Sequence, residues 1–236
     1  MNESRICIAL DFQTKEEVKE FLDQFGNEKL YVKVGMELFY GEGIEMIKLI
    51  KERGHKIFLD LKLHDIPNTV KSAMKQLAKL DVDMVNVHAS GSVAMMKAAI
   101  QGLEEGAING KRPLCIAVTC LTSLDQEVLD NELLIHEPLA DVVLKWAQNA
   151  KEAGLDGVVC SPLESQIIHE QLGEEFLTVT PGIRLASDSV NDQKRVTTPA
   201  MARELTSSYI VVGRTITRAE NPVETYQEVY RQFQGE

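Results

Sequence analysis

The run Asp60-Leu61-Lys62-Leu63-His64-Asp65-Ile66-Pro67-Asn68-Thr69 places two carboxylates around an ammonium, directly after the apolar Ile57-Phe58-Leu59. Side chains alternate faces along a strand, so Asp60 and Lys62 point one way while Leu59 and Leu61 point the other. Two opposite charges then share one face at the end of a strand that reads as buried. Burying an ion pair is a poor route to stability, because desolvation can exceed the Coulomb gain. Carboxylates beside a lysine do keep it charged in a partly dry site, which is a reason for chemistry rather than stability to place them there. The plainer reading, a solvated salt bridge on an edge strand worth ~0–1 kcal/mol, does not account for the apolar lead-in.

Positions that could join this group fall at the ends of other apolar runs: Asp11, Lys33, Asn86 with His88, Thr119, Ser161, Arg184 and Arg214. Lys33 shares a face with Tyr31 and can point inward beside Asp60 and Lys62. The run Val211-Val212-Gly213-Arg214 suits a phosphate, since glycine lets the backbone N–H approach and arginine supplies a fork of donors. His88 reads equally as an acid or base and as a hydrogen-bonded core residue. His55, His136 and His169 read as surface positions, and Trp146 as core.

Eight β-rich runs must position these residues: Arg5–Asp11, Tyr31–Gly35, Lys56–Lys62, Asp83–His88, Leu114–Thr119, Gly157–Cys160, Leu177–Thr180 and Tyr209–Gly213. Helical patterns lie between them, near 15–25, 42–53, 68–79, 91–105, 137–153, 163–172, 198–206 and 222–234. Such alternation implies parallel βαβ units, and eight of them close into a (β/α)8 TIM barrel; a doubly wound open sheet is the alternative. In a barrel the carboxyl ends of the strands converge on one rim, where such enzymes act. The small faces (Cys7, Ala9, Asp11; Cys115, Ala117, Thr119) are expected to fill the interior. The bulky faces (Ile6, Ile8, Leu10; Leu114, Ile116, Val118) are expected to meet the helices. Pro181–Arg195, rich in Ser, Asp, Asn and Arg, reads as a long active-site lid or binding loop.

No linker or composition shift divides the 236 residues, so one domain over 1–236 is expected. A formal net charge of −11 argues against nucleic-acid or anionic-membrane partners, though not against a phosphorylated small molecule. The four cysteines show no CxxC spacing and no metal-ligand His companion, and read as buried thiols. With no signal-like N-terminus and no apolar run of membrane-spanning length, a soluble cytoplasmic protein is expected.

The Asp60-x-Lys62-x-x-Asp65-Ile66-Pro67-Asn68-Thr69 motif resembles the orotidine 5′-monophosphate decarboxylase family, most of all its bacterial branch. Ala9-Leu10-Asp11, Tyr31-Val32-Lys33-Val34-Gly35, Val85-Asn86-Val87-His88-Ala89, Leu121-Thr122-Ser123, Thr180-Pro181-Gly182-Ile183-Arg184 and Val212-Gly213-Arg214 extend the resemblance over essentially the whole chain. It implies conversion of orotidylate to uridylate with release of carbon dioxide, the last step of de novo UMP synthesis, without metal or organic cofactor. It implies an alternating array of Lys33, Asp60, Lys62 and Asp65, with Lys62 protonating the ring carbon. It also implies a homodimer in which Asp65 reaches the partner's site. Substrate contacts implied are Asp11, Lys33, Asp60 and Thr69 at the ribose, Thr122 at the pyrimidine, and Gln193, Gly213, Arg214 and Arg184 at the phosphate, with Ile66 and Pro181 alongside.

Two other readings compete. A pentulose-phosphate epimerase or hexulose-phosphate synthase would also use a phosphate-binding barrel, but would need metal ligands or an acid/base pair around a sugar phosphate. A catalytically silent nucleotide-binding scaffold would have no reason to retain costly clustered charges.

Overall fold

Alternating β-rich and amphipathic stretches become eight strands wrapped by helices in the computed structural model, which describes residues 5–108, 110–186 and 196–236. The strands are β1 (Ile6–Ala9), β2 (Tyr31–Gly35), β3 (Lys56–Leu63), β4 (Met84–His88), β5 (Leu114–Val118), β6 (Gly157–Val159), β7 (Leu177–Thr180) and β8 (Tyr209–Val212). Each pairs in parallel with the next, and β8 pairs with β1, closing the barrel. Closure excludes the open doubly wound sheet.

The helices are α1 (Lys15–Asp23), α2 (Met36–Glu42), α3 (Ile44–Glu52), α4 (Pro67–Ala78), α5 (Ser92–Gly106), α6 (Gln126–Asn131), α7 (Leu139–Glu152), α8 (Pro162–Leu172), α9 (Pro199–Glu204), α10 (Arg214–Thr217) and α11 (Pro222–Gln234). The helix expected near 42–53 is α3; α2, α6 and α10 are additions. Local chemistry explains several starts. Thr14 and Glu17 form a reciprocal capping box on α1, Ser161 and Glu164 another on α8, and Pro67 opens α4.

Two apolar clusters divide along the strand faces. Cys7, Ala9, Tyr31, Phe58, Met84, Ile116, Val179 and Val211, all strand residues, fill the barrel. The opposite faces (Ile6 and Ile8, Val32 and Val34, Ile57 and Leu59) join the helices in the larger core. The expected parity holds on β1 and is inverted on β5, where Ile116 points inward and Cys115 and Ala117 meet the helical layer. Register is the reason. Asn86 pairs with Ile116 and Val85 with Cys115, and lateral partners in a sheet share a face. Small residues outside let helices pack close, while a large one inside fills the interior.

The amino-terminal ends of the strands carry a repeated fastening. Asp83 accepts from Ile57 N–H at 2.8 Å, Asp156 from Cys115 N–H at 2.7 Å, and Ser208 from Thr178 N–H at 3.0 Å. In each case the residue just before one strand fixes the amide of the second residue of the preceding strand. Arg112 reinforces Asp156 with two bonds, at 2.6 and 3.0 Å.

His55 corrects the surface reading: it is buried, 4% exposed, and its Nδ1 accepts from Leu30 N–H at 3.2 Å. The amide leading into β2 needs an acceptor there, and burial with nearby Lys29 and Arg53 pushes the imidazole down to about 4. His169 is half-buried and bonded to Thr206 Oγ1 at 2.9 Å, a second departure from the surface reading, whereas His136 is exposed. Trp146 is partly buried against the core. All four cysteines are buried and free, and burial pushes the Cys115 thiol up to about 12. Among the described residues no helix is long and apolar enough to cross a membrane.

Candidate active site

Three adjacent strand ends bring the charged residues together. Lys33 on β2 lies between Asp11, just past β1, and Asp60 on β3, with Nζ 3.3 Å from Asp11 Oδ1 and 3.4 Å from Asp60 Oδ2. Lys62 Nζ lies 2.7 Å from Asp60 Oδ1. Asp11, Lys33, Asp60 and Lys62 therefore form one continuous line of alternating charge. The side chains of Lys33 and Asp60 are 12% and 11% exposed, that of Lys62 is 25% exposed, and Asp11 faces solvent.

The electrostatics favour the ionised forms. Burial pulls the Lys33 ammonium down, but Asp60 and Asp11 outweigh it and hold it above the ordinary lysine value. Burial likewise pushes the Asp60 carboxyl up, but Lys33, Lys62 and the Asn86 amide together hold it below its usual value. Glycine keeps the approach open. A Cβ on Gly35 would sit 3.2 Å from Lys33 Nζ, and one on Gly213 would sit 3.5 Å from Asp11 Oδ2, so the β8 end abuts the charged line.

The local path of β3 matters as much as its composition. Leu59 pairs with Val85, and the next pairing is Leu63 with Val87, so β3 has three residues where β4 has one. Within this irregularity Lys62 takes a left-handed backbone, φ 51°. Its N–H is accepted by Asn86 Oδ1 at 2.8 Å, and Asn86 Nδ2 donates to Asp60 Oδ1 at 2.7 Å. Simple alternation predicts that Asp60 and Lys62 share a site, but not this bulge. In the sequence Asn86 is one polar strand end among several and part of a family-like segment, with no role of its own. The signal for its importance is its place on β4 opposite the bulge.

His88, at the end of β4, has its ring 5.7 Å from that of His64. Burial, then His64 and Lys62, push it below the ordinary histidine value, so it adds no positive charge beside Lys62 at neutral pH. This neutrality fits a wall of the site better than a cationic acid.

The remaining candidates are spread around the same rim. Asp65, Ile66 and Thr69 are exposed on the β3–α4 connection, and Asp65 Oδ1 accepts from Ile66 N–H at 2.6 Å. Asp65 thus stands apart from the charged line within one chain. Thr122 is half-buried after β5. Pro181 follows β7, and Arg184 donates to Ile183 O at 3.0 Å. Ile183 bridges Thr197, joining the two described flanks of the long loop. Gln193 and most of the Pro181–Arg195 loop lie outside the described residues. Gly213 and Arg214 open α10. Among the described residues no group of three or more His, Cys, Asp or Glu side chains is arranged to hold a metal ion.

Comparison with known proteins agrees with this fold. Residues 4–229 match the model of the "Orotidine 5'-phosphate decarboxylase / HUMPS family". An orotidine 5'-phosphate decarboxylase of Bacillus cytotoxicus is 63% identical over 231 residues, covering 98% of this chain and 97% of that protein. The crystal structure of the Lactobacillus acidophilus orotidine 5'-phosphate decarboxylase superposes with a TM-score of 0.88 at 46% identity, covering 98% of this chain and 99% of that one. A Geobacillus kaustophilus structure described as an uncharacterized conserved protein gives 0.87 at 50% identity, covering 97% and 99%. By sequence over nearly its whole length, and by the barrel that carries its charged line, the chain belongs to the orotidine 5'-phosphate decarboxylase / HUMPS family.

Proposed function

We propose that this chain is a carboxy-lyase that converts orotidine 5′-monophosphate to uridine 5′-monophosphate in pyrimidine biosynthesis, with Lys62 as the proton donor. The observation that carries the reading is the Asp11–Lys33–Asp60–Lys62 line of ion pairs at the carboxyl-terminal rim, in a chain 63% identical to a decarboxylase of that name.

The reaction breaks the bond between the ring carbon and its carboxylate. Carbon dioxide leaves, the electron pair stays on the ring carbon, and a Lys62 proton is transferred to it; solvent then reprotonates the amine. The resulting carbanion has no easy electron sink, so a fixed ammonium beside it acts first as a counter-charge and then as the acid. One unit charge pair at ~4 Å with an effective dielectric of ~20 is worth about 4 kcal/mol. Asp60, bonded to Lys62, lies close enough to repel the substrate carboxylate, and this repulsion is relieved as carbon dioxide departs. Lys33 fixes Asp60 from its other oxygen, so the array is organised before substrate arrives.

The other contacts follow the rim. Asp11 and Lys33, with Asp60 and Thr69, hold the ribose hydroxyls, and Thr122 meets the pyrimidine, with Ile66 and Pro181 lining the site. Arg214, Gly213, Arg184 and Gln193 take the phosphate, where arginine forks pair with its oxygens. Asp65 completes the array of a second subunit. Its exposure, its separation from the charged line of its own chain, and the 66% exposed Ile66 beside it support a surface covered by a partner.

The test is turnover of orotidine 5′-monophosphate by EDTA-treated protein, followed by ultraviolet absorbance. Metal-independent conversion to uridylate supports the reading. No conversion by folded protein, with turnover of a sugar phosphate on adding divalent metal, would overturn it.

A further inference from the structure

Asn86 is 1% exposed on β4, and both ends of its amide are engaged with the residues proposed to do the chemistry. The β3 irregularity creates the need for it. Between the Leu59–Val85 and Leu63–Val87 pairings, the Lys62 N–H leaves the strand ladder. Asn86, the single β4 residue in that interval, supplies a side-chain carbonyl in place of the missing backbone acceptor, at 2.8 Å. This holds Lys62 at φ 51°, a conformation disfavoured for any residue with a Cβ. The other end of the amide donates to Asp60 Oδ1 at 2.7 Å, the same oxygen that Lys62 Nζ approaches at 2.7 Å. Two donors on Oδ1 leave Oδ2 for Lys33 at 3.4 Å. One planar group thereby fixes the backbone of the lysine and the rotation of the carboxylate at once.

We propose that Asn86 is a positioning residue for decarboxylation, setting where the Lys62 ammonium and the Asp60 carboxylate stand relative to the reacting carbon. The proposal rests on the decarboxylase reading above. Only an amide, or a protonated carboxyl, presents an acceptor to the lysine backbone and a donor to Asp60 together. A leucine of similar volume presents neither. An ionised aspartate accepts from the backbone but repels Asp60.

These differences define the test. Wild-type turnover of orotidine 5′-monophosphate checks the decarboxylase reading by itself; the variants, compared with wild type, check Asn86. Asn86→Leu is expected to lower kcat by about 10²-fold, the scale of an ångström-level misplacement of reacting groups. Affinity for uridylate, which lacks the carboxylate facing Asp60, should fall much less, by under about tenfold, since Asp60 is the one ribose contact disturbed and the phosphate contacts are untouched. Asn86→Asp should be nearly as impaired at high pH and recover as pH falls and its carboxyl takes a proton. Groups facing that position are Asp60 and Lys62 on β3, Lys33 on β2, Asp11 after β1, His88 on β4 and His64 beyond β3. The wild-type profile measured alongside separates their titration from that of the new carboxyl.

The proposal is overturned if Asn86→Leu turns over at the wild-type rate. It is also overturned if kcat and uridylate affinity fall together while Asn86→Asp follows the wild-type pH profile. Should Asn86→Leu fail to fold, the pH profile of Asn86→Asp decides the matter in the same two directions.

Discussion

Replacing Lys33 with methionine removes the cation that lies between two carboxylates while keeping most of the side-chain volume. At the 3.4 Å separation from Asp60, the gross attraction at an effective dielectric of ~20 is about 5 kcal/mol. Asp11 is largely solvated, so its pair with Lys33 contributes about 1 kcal/mol or less. Against this stands the cost of burying the ammonium. Breaking a buried pair from one side costs about 3–5 kcal/mol, and Lys62 still compensates Asp60 from its other oxygen. The expected loss is therefore about 3 kcal/mol, or roughly 6–12 °C in Tm for a chain of this size. The loss should depend on pH with a definite sign. In the folded wild type Asp60 is held below its ordinary value, so the stability it contributes is full above about pH 4 and is lost as pH falls through the depressed folded value. Without Lys33, burial acts on Asp60 against weaker opposition and the carboxyl accepts a proton earlier. The gap between variant and wild type should be widest at pH 7 and narrow as pH falls through the carboxylate range. Urea unfolding at pH 7 and near pH 4 measures this. A variant as stable as wild type at pH 7, or a deficit unchanged at pH 4, would refute the reasoning.

Other perturbations test separate parts of the structure. His55 is held near 4, against an unfolded value of about 6.5, so the unfolded chain takes up a proton that the folded chain resists. Stability should fall as pH drops from about 6.5 towards 4, and His55→Gln should flatten that slope in urea titrations. Leu134 is 73% exposed at φ 55°, and Leu134→Gly should raise stability by about 0.5–1 kcal/mol, measured as a shift in the urea midpoint. Arg214→Ala should weaken uridylate binding by about tenfold or more, while leaving affinity for uridine, which has no phosphate, unchanged in calorimetry.

The alternation of apolar runs was enough to locate all eight strands and to place Asp11, Lys33, Asp60 and Lys62 on one rim, because strand ends in a barrel converge by geometry. Short helices leave little periodic signal in the sequence. Residues 36–42 follow β2 without a turn, and α10 has only four residues, too few for a periodic signal. The inward face of β5 is not legible from side-chain size, because pairing with Met84, Asn86 and His88 sets its parity. His55 read as a surface residue because its partner, the Leu30 amide, lies 25 residues away in sequence. The left-handed turn at Lys62 was equally invisible, since β3 shows no glycine or proline to mark a bulge. The long-range contacts of Asn86 became apparent only once β3 and β4 were paired.

The central claim is that Lys62 delivers the proton that replaces carbon dioxide. The most direct measurement is conversion of orotidine 5′-monophosphate in deuterated water by wild type and by Lys62→Ala, with NMR observation of the ring position that lost the carboxylate. Wild type is expected to give uridylate carrying deuterium there. Lys62→Ala should bind uridylate, yet convert substrate at least about 10³-fold more slowly, a loss of roughly 4 kcal/mol in transition-state stabilisation. Conversion by Lys62→Ala within tenfold of wild type would contradict the account.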